Sequence, residues 1–379
     1  MKILEINALH DFRAIKNEWN SLLASSKDRN IFFTWDWNYL WYKHYRKDKK
    51  LSILIFEECG EMRGIVPLLR KNHSILGVNC SYLENMGIPN SDYGGIIISD
   101  NCNEIADQIF DLLARFIREH KLSLRLDQIP ISPKIEELKN RLSSNNFFIR
   151  EQSMSQCHYL SLQGSWEEYR AKLSRKFIKE IERSKRRFER NIGEISFRRS
   201  SSVEELTNDF DLFLDLEGKK RQHKGFEQIK NVEKGFLYDI TQNFLANNWL
   251  YLSFLEVDGD AIACDLGFEY NNTYYAYMTA FDPSYHSYPI GKIHLYLILK
   301  DLFGRGLNEL DFLRGDEAFK SFWNTSKRTN ERIIACTDSI GFNIKSNFID
   351  LLIRYDDMRG LGQDFRTNCA YVLNFIKNI

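Results

Sequence analysis

The sequence predicts an α/β (α+β) fold of two tandem units, each a mixed, mostly antiparallel sheet flanked by helices. Three observations carry that expectation. The composition supports large packed cores, a hairpin-like stretch occurs twice, and the same order of strands and helices surrounds it each time.

Composition bounds the rest. Hydrophobic residues make up 43% of the 379 residues and charged residues 27%, with 27 Phe and 18 Tyr, so two packed domains are expected. Lys plus Arg and Asp plus Glu both number 52, which excludes a chain-wide attraction to DNA or to an anionic membrane; any such attraction must be local. The opening MKILEINALHDF lacks the charged and apolar regions of a secretory signal, and no run approaches the roughly 18 apolar residues of a transmembrane segment. A cytoplasmic protein is expected. The seven cysteines (Cys59, Cys80, Cys102, Cys157, Cys264, Cys336, Cys369) form no CxxC and the eight histidines no HExxH, so neither a disulfide framework nor a metal site is expected. The cysteines read as small buried hydrophobes.

The repeat aligns LSILIFEECGEMRGIVPLL (51–69) without a gap on LYLSFLEVDGDAIACDLGF (250–268), matching Leu51 to Leu250, Glu57 to Glu256 and Gly60 to Gly259. Each reads as strand, Gly-containing turn, strand. Before the first hairpin, HDFRAIKNEWNSLLAS and WDWNYLWYKHY read as helices; after it come the strand-like CSYLENMG and YGGIIIS, a helical period over 103–120 and the strand LSLRLDQI. Before the second, SVEELTNDFDLFLDLEGKKRQH and VEKGFLYDITQNFLANN read as helices; after it come TYYAYMTAF, a helical period over 291–303 and LNELDFL. Trp35, Trp37, Trp41 and Tyr42 suit core or inter-domain packing more than sugar stacking. Beyond 343, NFIDLLIRY and CAYVLNFIKNI read as short amphipathic helices that close the second domain or meet a partner.

Between the halves, SWEEYRAKLSRKFIKEIERSKRRFERN reads as one long helix opened by a Ser165/Glu168 capping box. Over 171–190 nine Lys/Arg face three Glu, a local charge of +6. It is either a solvated face or a rim for an anionic substrate. Pro289 and Gly291 stand where a helix begins, leaving backbone N–H groups and Lys292 at the positive end of its dipole: a phosphate seat, or backbone geometry alone. Neither GxxxxGK[ST] nor GxGxxG occurs. The polar turn Arg314-Gly315-Asp316-Glu317 follows the strand LNELDFL.

Taken together, FFTWDWNYLWYKHY, GIVPLL, MGIPNSDYGGIII, LSRKFIKEIERSKRRFER and, above all, AFDPSYHSYPIGKIHLY followed by GLNELDFLRGDEAFKSFW make the chain resemble the GNAT-fold acyltransferases of the FemAB/CelD type. These carry two tandem acetyltransferase-like domains, the CelD branch being linked to cellulose and other exopolysaccharide biosynthesis. The resemblance runs roughly from Trp19 to Trp323.

It implies a GNAT-like domain at 1–155 without its own cofactor, a GNAT domain at 156–342 that binds the acyl donor, and a helical extension at 343–379. In such a domain the backbone of Met278, Thr279, Ala280 and Phe281 meets the pantetheine of acetyl-CoA, while Tyr288, Pro289, Ile290, Gly291 and Lys292 seat its pyrophosphate. The usual Arg/Gln-x-x-Gly-x-Gly/Ala turn is met at Gly291 and departs at Tyr288 and Ile293, and Pro289 offers no N–H. Asp316 is then the base or only a helix cap, and Lys320 pairs with it or holds an anionic acceptor. Arg314, Glu317, Tyr285, Lys176 and Lys179 surround the substrate, with Asp92 and Tyr93 of the Gly-rich NSDYGG loop facing the cleft or serving only as a turn. Phe319 and Ile178 stand where relatives often carry Tyr and Arg.

The implied reaction is acyl transfer from acetyl-CoA, with no metal, to an amino or hydroxyl group of a small molecule, sugar or glycan precursor. A second reading is an aminoacyl-tRNA-dependent ligase acting on a peptidoglycan precursor, the one reading in which tRNA is a partner. A third is a non-catalytic glycan-binding component of a polysaccharide synthesis complex.

Overall fold

The computed structural model describes residues 1–337 apart from 48, 76–77 and 100–102. The expected extension at 343–379, with Cys369, and also Cys102 lie outside the described residues. The first half runs β1 (Lys2–Ile6), α1 (Leu9–Ala14), α2 (Lys16–Ser25), α3 (Trp35–Tyr45), β2 (Lys50–Leu51), β3 (Ile53–Glu58), β4 (Glu61–Val66), β5 (Leu68–Ile75), β6 (Val78–Asn85), β7 (Ile97–Ile98), α4 (Asn103–Glu119), β8 (Ser123–Pro130), α5 (Pro133–Ser144) and β9 (Phe148–Ser161). The second runs α6 (Trp166–Lys172), α7 (Arg175–Asn191), β10 (Ile195–Arg199), α8 (Val203–His223), α9 (Asn231–Ala246), β11 (Leu250–Val257), β12 (Asp260–Tyr270), β13 (Thr273–Phe281), α10 (Ile290–Gly304), β14 (Glu309–Arg314), α11 (Ala318–Ser321) and β15 (Ser326–Cys336).

The repeat extends to backbone detail. Both hairpins turn through two left-handed residues, Cys59 (φ 53°) and Gly60 (φ 82°) in one, Asp258 (φ 52°) and Gly259 (φ 88°) in the other. That geometry matches the twist of antiparallel strands. Both carry a β-bulge at the same aligned position: Phe56 opposes Gly64 and Glu57 opposes Met62, as Leu255 opposes Ala263 and Glu256 opposes Ala261. A short strand then adds antiparallel to each hairpin, β1 on β3 and β10 on β11.

The halves differ where Pro67 stands between β4 and β5, opposite Leu266 in the alignment. Proline cannot donate to a ladder, so the strand breaks there, whereas β12 runs on unbroken. Accordingly β1-β3-β4-β7 form a separate four-stranded sheet, and the remaining strands form one of eleven, ordered β10-β11-β12-β13-β14-β9-β15-β8-β6-β5-β2. Within it the last strands are exchanged: β9 of the first half pairs with β14, and β15 of the second half pairs with β8. The two exchanged strands pair with each other along most of their length.

One buried core joins α2, α3, α8 and α9 between the halves, a second lies under α6, α7 and α10, and a third fills the first half beneath α4 and α5. Trp37 packs edge-on against Phe236, Phe268 and Tyr277 of the second half. The basic segment is two helices rather than one, because Leu173 turns extended and buries its side chain in the second core. The capping box at Ser165 and Glu168 is present. Of the cysteines whose side chains are described, Cys157, Cys264 and Cys336 are buried, but Cys59 is exposed, since its turn projects from the hairpin.

Candidate active site

Two parallel strands that part frame the candidate site. β13 and β14 pair only over 273–275 with 309–311. Just past that point β13 is bulged at Tyr277, for Leu266 of β12 opposes Met278 while Gly267 opposes Ala276. A bulge re-aims a strand and increases its twist. On the other side β14 is bulged at Phe312 and Leu313, which together face only His158 of β9, and Leu313 adopts φ 58° with its N–H held by Asp311 Oδ1 at 2.7 Å. Met278, Thr279, Ala280 and Phe281 therefore pair with β12 on one edge and leave the other edge toward the gap. Lys220 of α8 donates to Thr279 O at 2.7 Å.

α10 begins at the end of β13. Its N-cap, Pro289, supplies no side-chain hydrogen bond. Ile290 N–H is tied to Tyr288 O, and Lys292 and Ile293 N–H to Pro289 O, while Gly291 N–H has no acceptor among the described residues. A Cβ at Gly291 would meet nothing within 4 Å. Tyr285 and Tyr288 pack on Phe188 of α7, with Arg187 over the Tyr288 ring at 4.7 Å, so this loop is held from below. Beside it lies a cavity of about 420 Å³ lined by Lys172, Lys176, Phe177, Lys292 and Phe322 among others. Lys292 is 3.6 Å from Glu180, which also lines the cavity, whereas Lys172 and Lys176 have no carboxylate partner among the described residues. Lys179 is exposed on α7 and does not line the cavity.

The turn after β14 meets the first half. Arg314 Nε donates to Asp92 and Arg314 Nη2 to Pro89 O at 2.6 Å. Burial raises the Asp92 carboxyl above its ordinary range, against the pull of Arg314. Next to it Tyr93 O–H donates to Asp311 Oδ2 at 2.7 Å. Asp311 is 1% exposed, and burial pushes its carboxyl up to about 6 although Tyr93 and Arg328 oppose the shift. The NSDYGG loop thus meets β14 through two consecutive residues.

Asp316 and Lys320 are not partners. Lys320 is buried and spans the turn, donating to the carbonyls of Phe312, Arg314 and Gly315 at 3.0 to 3.3 Å and pairing with Glu317 at 2.8 Å. Nor does Asp316 cap α11, whose N-cap is Glu317 without a side-chain bond. Asp316 is instead held by Lys327 Nζ at 2.6 Å and His158 Nε2 at 2.7 Å, which keep its carboxyl below the usual range. His158 is fully buried, its Nδ1 2.7 Å from Thr325 Oγ1. A carboxylate only accepts, so Nε2 carries a proton. Sequence reading missed His158, a lone histidine in a polar stretch, as it missed Lys220, Tyr277 and Asp311.

With that geometry in place, the chain can be set beside known proteins. A family model described as Acetyltransferase (GNAT) domain matches residues 175–321, from the start of α7 to the end of α11. No curated protein sequence matches the chain. Among solved structures, FemX is similar at 12% identity and TM-score 0.65, covering 91% of this chain and 100% of that one. L-PGS from Bacillus licheniformis is similar at 10% identity and TM-score 0.53, covering 89% and 96%. A conserved protein of unknown function from Bacteroides thetaiotaomicron is similar at 13% identity and TM-score 0.54, covering 89% and 100%. The chain carries the GNAT acyltransferase fold, with β13, α10 and β14 forming the part of it that parts and opens.

Proposed function

We propose that the chain is an acyltransferase that moves an acetyl or other acyl group from acyl-CoA to an amino or hydroxyl group of a sugar or cell-envelope glycan precursor. The observation that carries this reading is the parting of β13 from β14 with the uncapped start of α10 at its mouth. The free edge at 278–281 suits the amides of a pantetheine arm, and Gly291 N–H with Lys172, Lys176 and Lys292 suits its phosphates. The acceptor lies between the halves, near Asp92, Arg314 and Asp316. Its nitrogen or oxygen attacks the thioester carbon, its proton passes to Asp316, and the tetrahedral intermediate expels CoA thiolate, which takes up a proton. Asp316 stays ionised at neutral pH and is aimed by His158, so its part is orientation as much as basicity.

A second donor, aminoacyl-tRNA, is favoured by the exposed basic face of α7 and by the resemblance of the sequence to the FemAB type. Titration calorimetry separates the two. Micromolar binding of acetyl-CoA that Gly291→Trp abolishes supports the first, whereas well-folded protein that binds neither acetyl-CoA nor CoA transfers the reading to aminoacyl-tRNA.

A further inference from the structure

A second cavity, of about 280 Å³, stands at the end of β8, where the first half repeats the position that the turn 314–317 takes after β14. The correspondence is close. β8 carries the same bulge as β14, with Asp127 and Gln128 facing only Arg332 of the exchanged strand, and Gln128 is left-handed at φ 56° as Leu313 is at 58°.

The cavity wall has unused donors. Gly95 and Ile96 are buried, and neither of their N–H groups has an acceptor among the described residues. Buried N–H groups are seldom left so. Gly94 and Gly95 bring this backbone in closely: a Cβ on the first would collide with the Asn85 amide and Asp127 O, and on the second with the Phe33 ring. α5 also starts on the wall. Ser132 occupies Ile135 N–H, Pro133 has none, and Lys134 N–H has no acceptor among the described residues. Lys27, Arg29 and Lys134 supply positive charge in the lining, which also holds Asp28, and Lys134 Nζ is bound to Ile96 O at 2.9 Å and to Asp28. The lining also carries carboxylates. Glu309 and Asp311 lie there, joined by Arg328 at 2.5 and 3.1 Å, with Tyr93 and Tyr275 beside them.

We propose that this cavity binds a monosaccharide phosphate, its phosphate against Gly95, Ile96, Arg29 and Lys134 and its hydroxyls against Glu309 and Asp311. Unpartnered donors and cations together with carboxylates in one cavity suit a ligand that carries both an anionic group and hydrogen-bond donors. The volume is at the small end for ligand pockets, matching a single sugar. Binding here requires no acyl donor, although Tyr93 and Asp311 join this cavity to the contacts around Asp92 and Arg314.

The test is titration calorimetry of the full chain, without acyl donor, against glucose 6-phosphate, glucose and inorganic phosphate. Glucose 6-phosphate is expected to bind with Kd below about 1 mM, and glucose and phosphate at least about tenfold more weakly. Arg29→Met and Lys134→Met should each weaken it about tenfold or more at unchanged Tm, and Gly291→Trp should leave it unchanged, because that residue belongs to the other site. The proposal is overturned if glucose 6-phosphate does not bind the folded protein, if phosphate alone binds as tightly, or if Arg29→Met and Lys134→Met have no effect.

Discussion

The two halves use the same hairpin, the same left-handed turn and the same bulges, yet treat the gap between their parallel strands in opposite ways. In the first half the gap after the pairing of β6 with β8 is bridged: Asn85 at the end of β6 donates to Asp127 O at 3.1 Å and accepts from Asp127 N–H at 2.8 Å, and the Gly94 backbone lies against that bridge. In the second half Tyr277 is bulged out instead, the strands part, and the start of α10 is left open. The duplicated scaffold is therefore not a duplicated site. What separates the halves is one side-chain amide, one proline and one bulge.

Several changes would break or sharpen that contrast. Ending the chain after Thr325 removes β15, the partner of β8, and should abolish the cooperative unfolding of the first half as well as the second; a first half that still melts cooperatively by circular dichroism would mean that the exchange is dispensable. On the open side, Asp316→Asn keeps an acceptor for His158 but loses the base, so transfer should fall about 10²-fold or more with Tm nearly constant. Proportionate losses of both would make the residue structural.

Asp311 offers a pH test. Its folded-state pKa, about 6, lies above the unfolded carboxyl value, so the native state binds the extra proton and stability from this group declines as pH rises from about 4 through 6. Relative to wild type, Asp311→Asn should therefore gain up to about 3 kcal/mol between pH 4 and pH 7 in urea titrations, and a pH-independent difference would refute it. Smaller again, Asn85→Ala removes both bridging bonds in the closed half and should cost about 2 kcal/mol. Least of all, Gly291→Trp should shift stability by under about 0.5 kcal/mol, since open space surrounds that position.

The hairpins, most helices and the strand entering α10 were legible because each announces itself over ten or so neighbouring residues by periodicity and turn chemistry. β9 and β15 were not. FIREQSMSQCHYLS and SKRTNERIIAC are polar for strands, the first because much of it is exposed and the second because it buries polar Asn330 and Glu331, and nothing local tells them to trade places. The candidate site was legible only in parts for the same reason. Gly291 and the turn 314–317 are local signals, but Arg314 meets Asp92, Tyr93 meets Asp311 and His158 meets Asp316 across more than 150 residues. Lys320 misled because helical spacing pointed it at Asp316, whereas the helix starts too late for that spacing to apply.

The strand exchange has a consequence for how the protein is made. β8 emerges from the ribosome long before β15, and until β15 arrives one edge of β8 offers unpaired N–H and C=O groups to any other nascent chain. β14 has the reverse history, since its partner β9 is already waiting when it appears. Synthesis thus passes through an interval in which the first half is translated but incomplete, and that interval, more than any later thermal fluctuation, is when this chain is most exposed to aggregation and to chaperones.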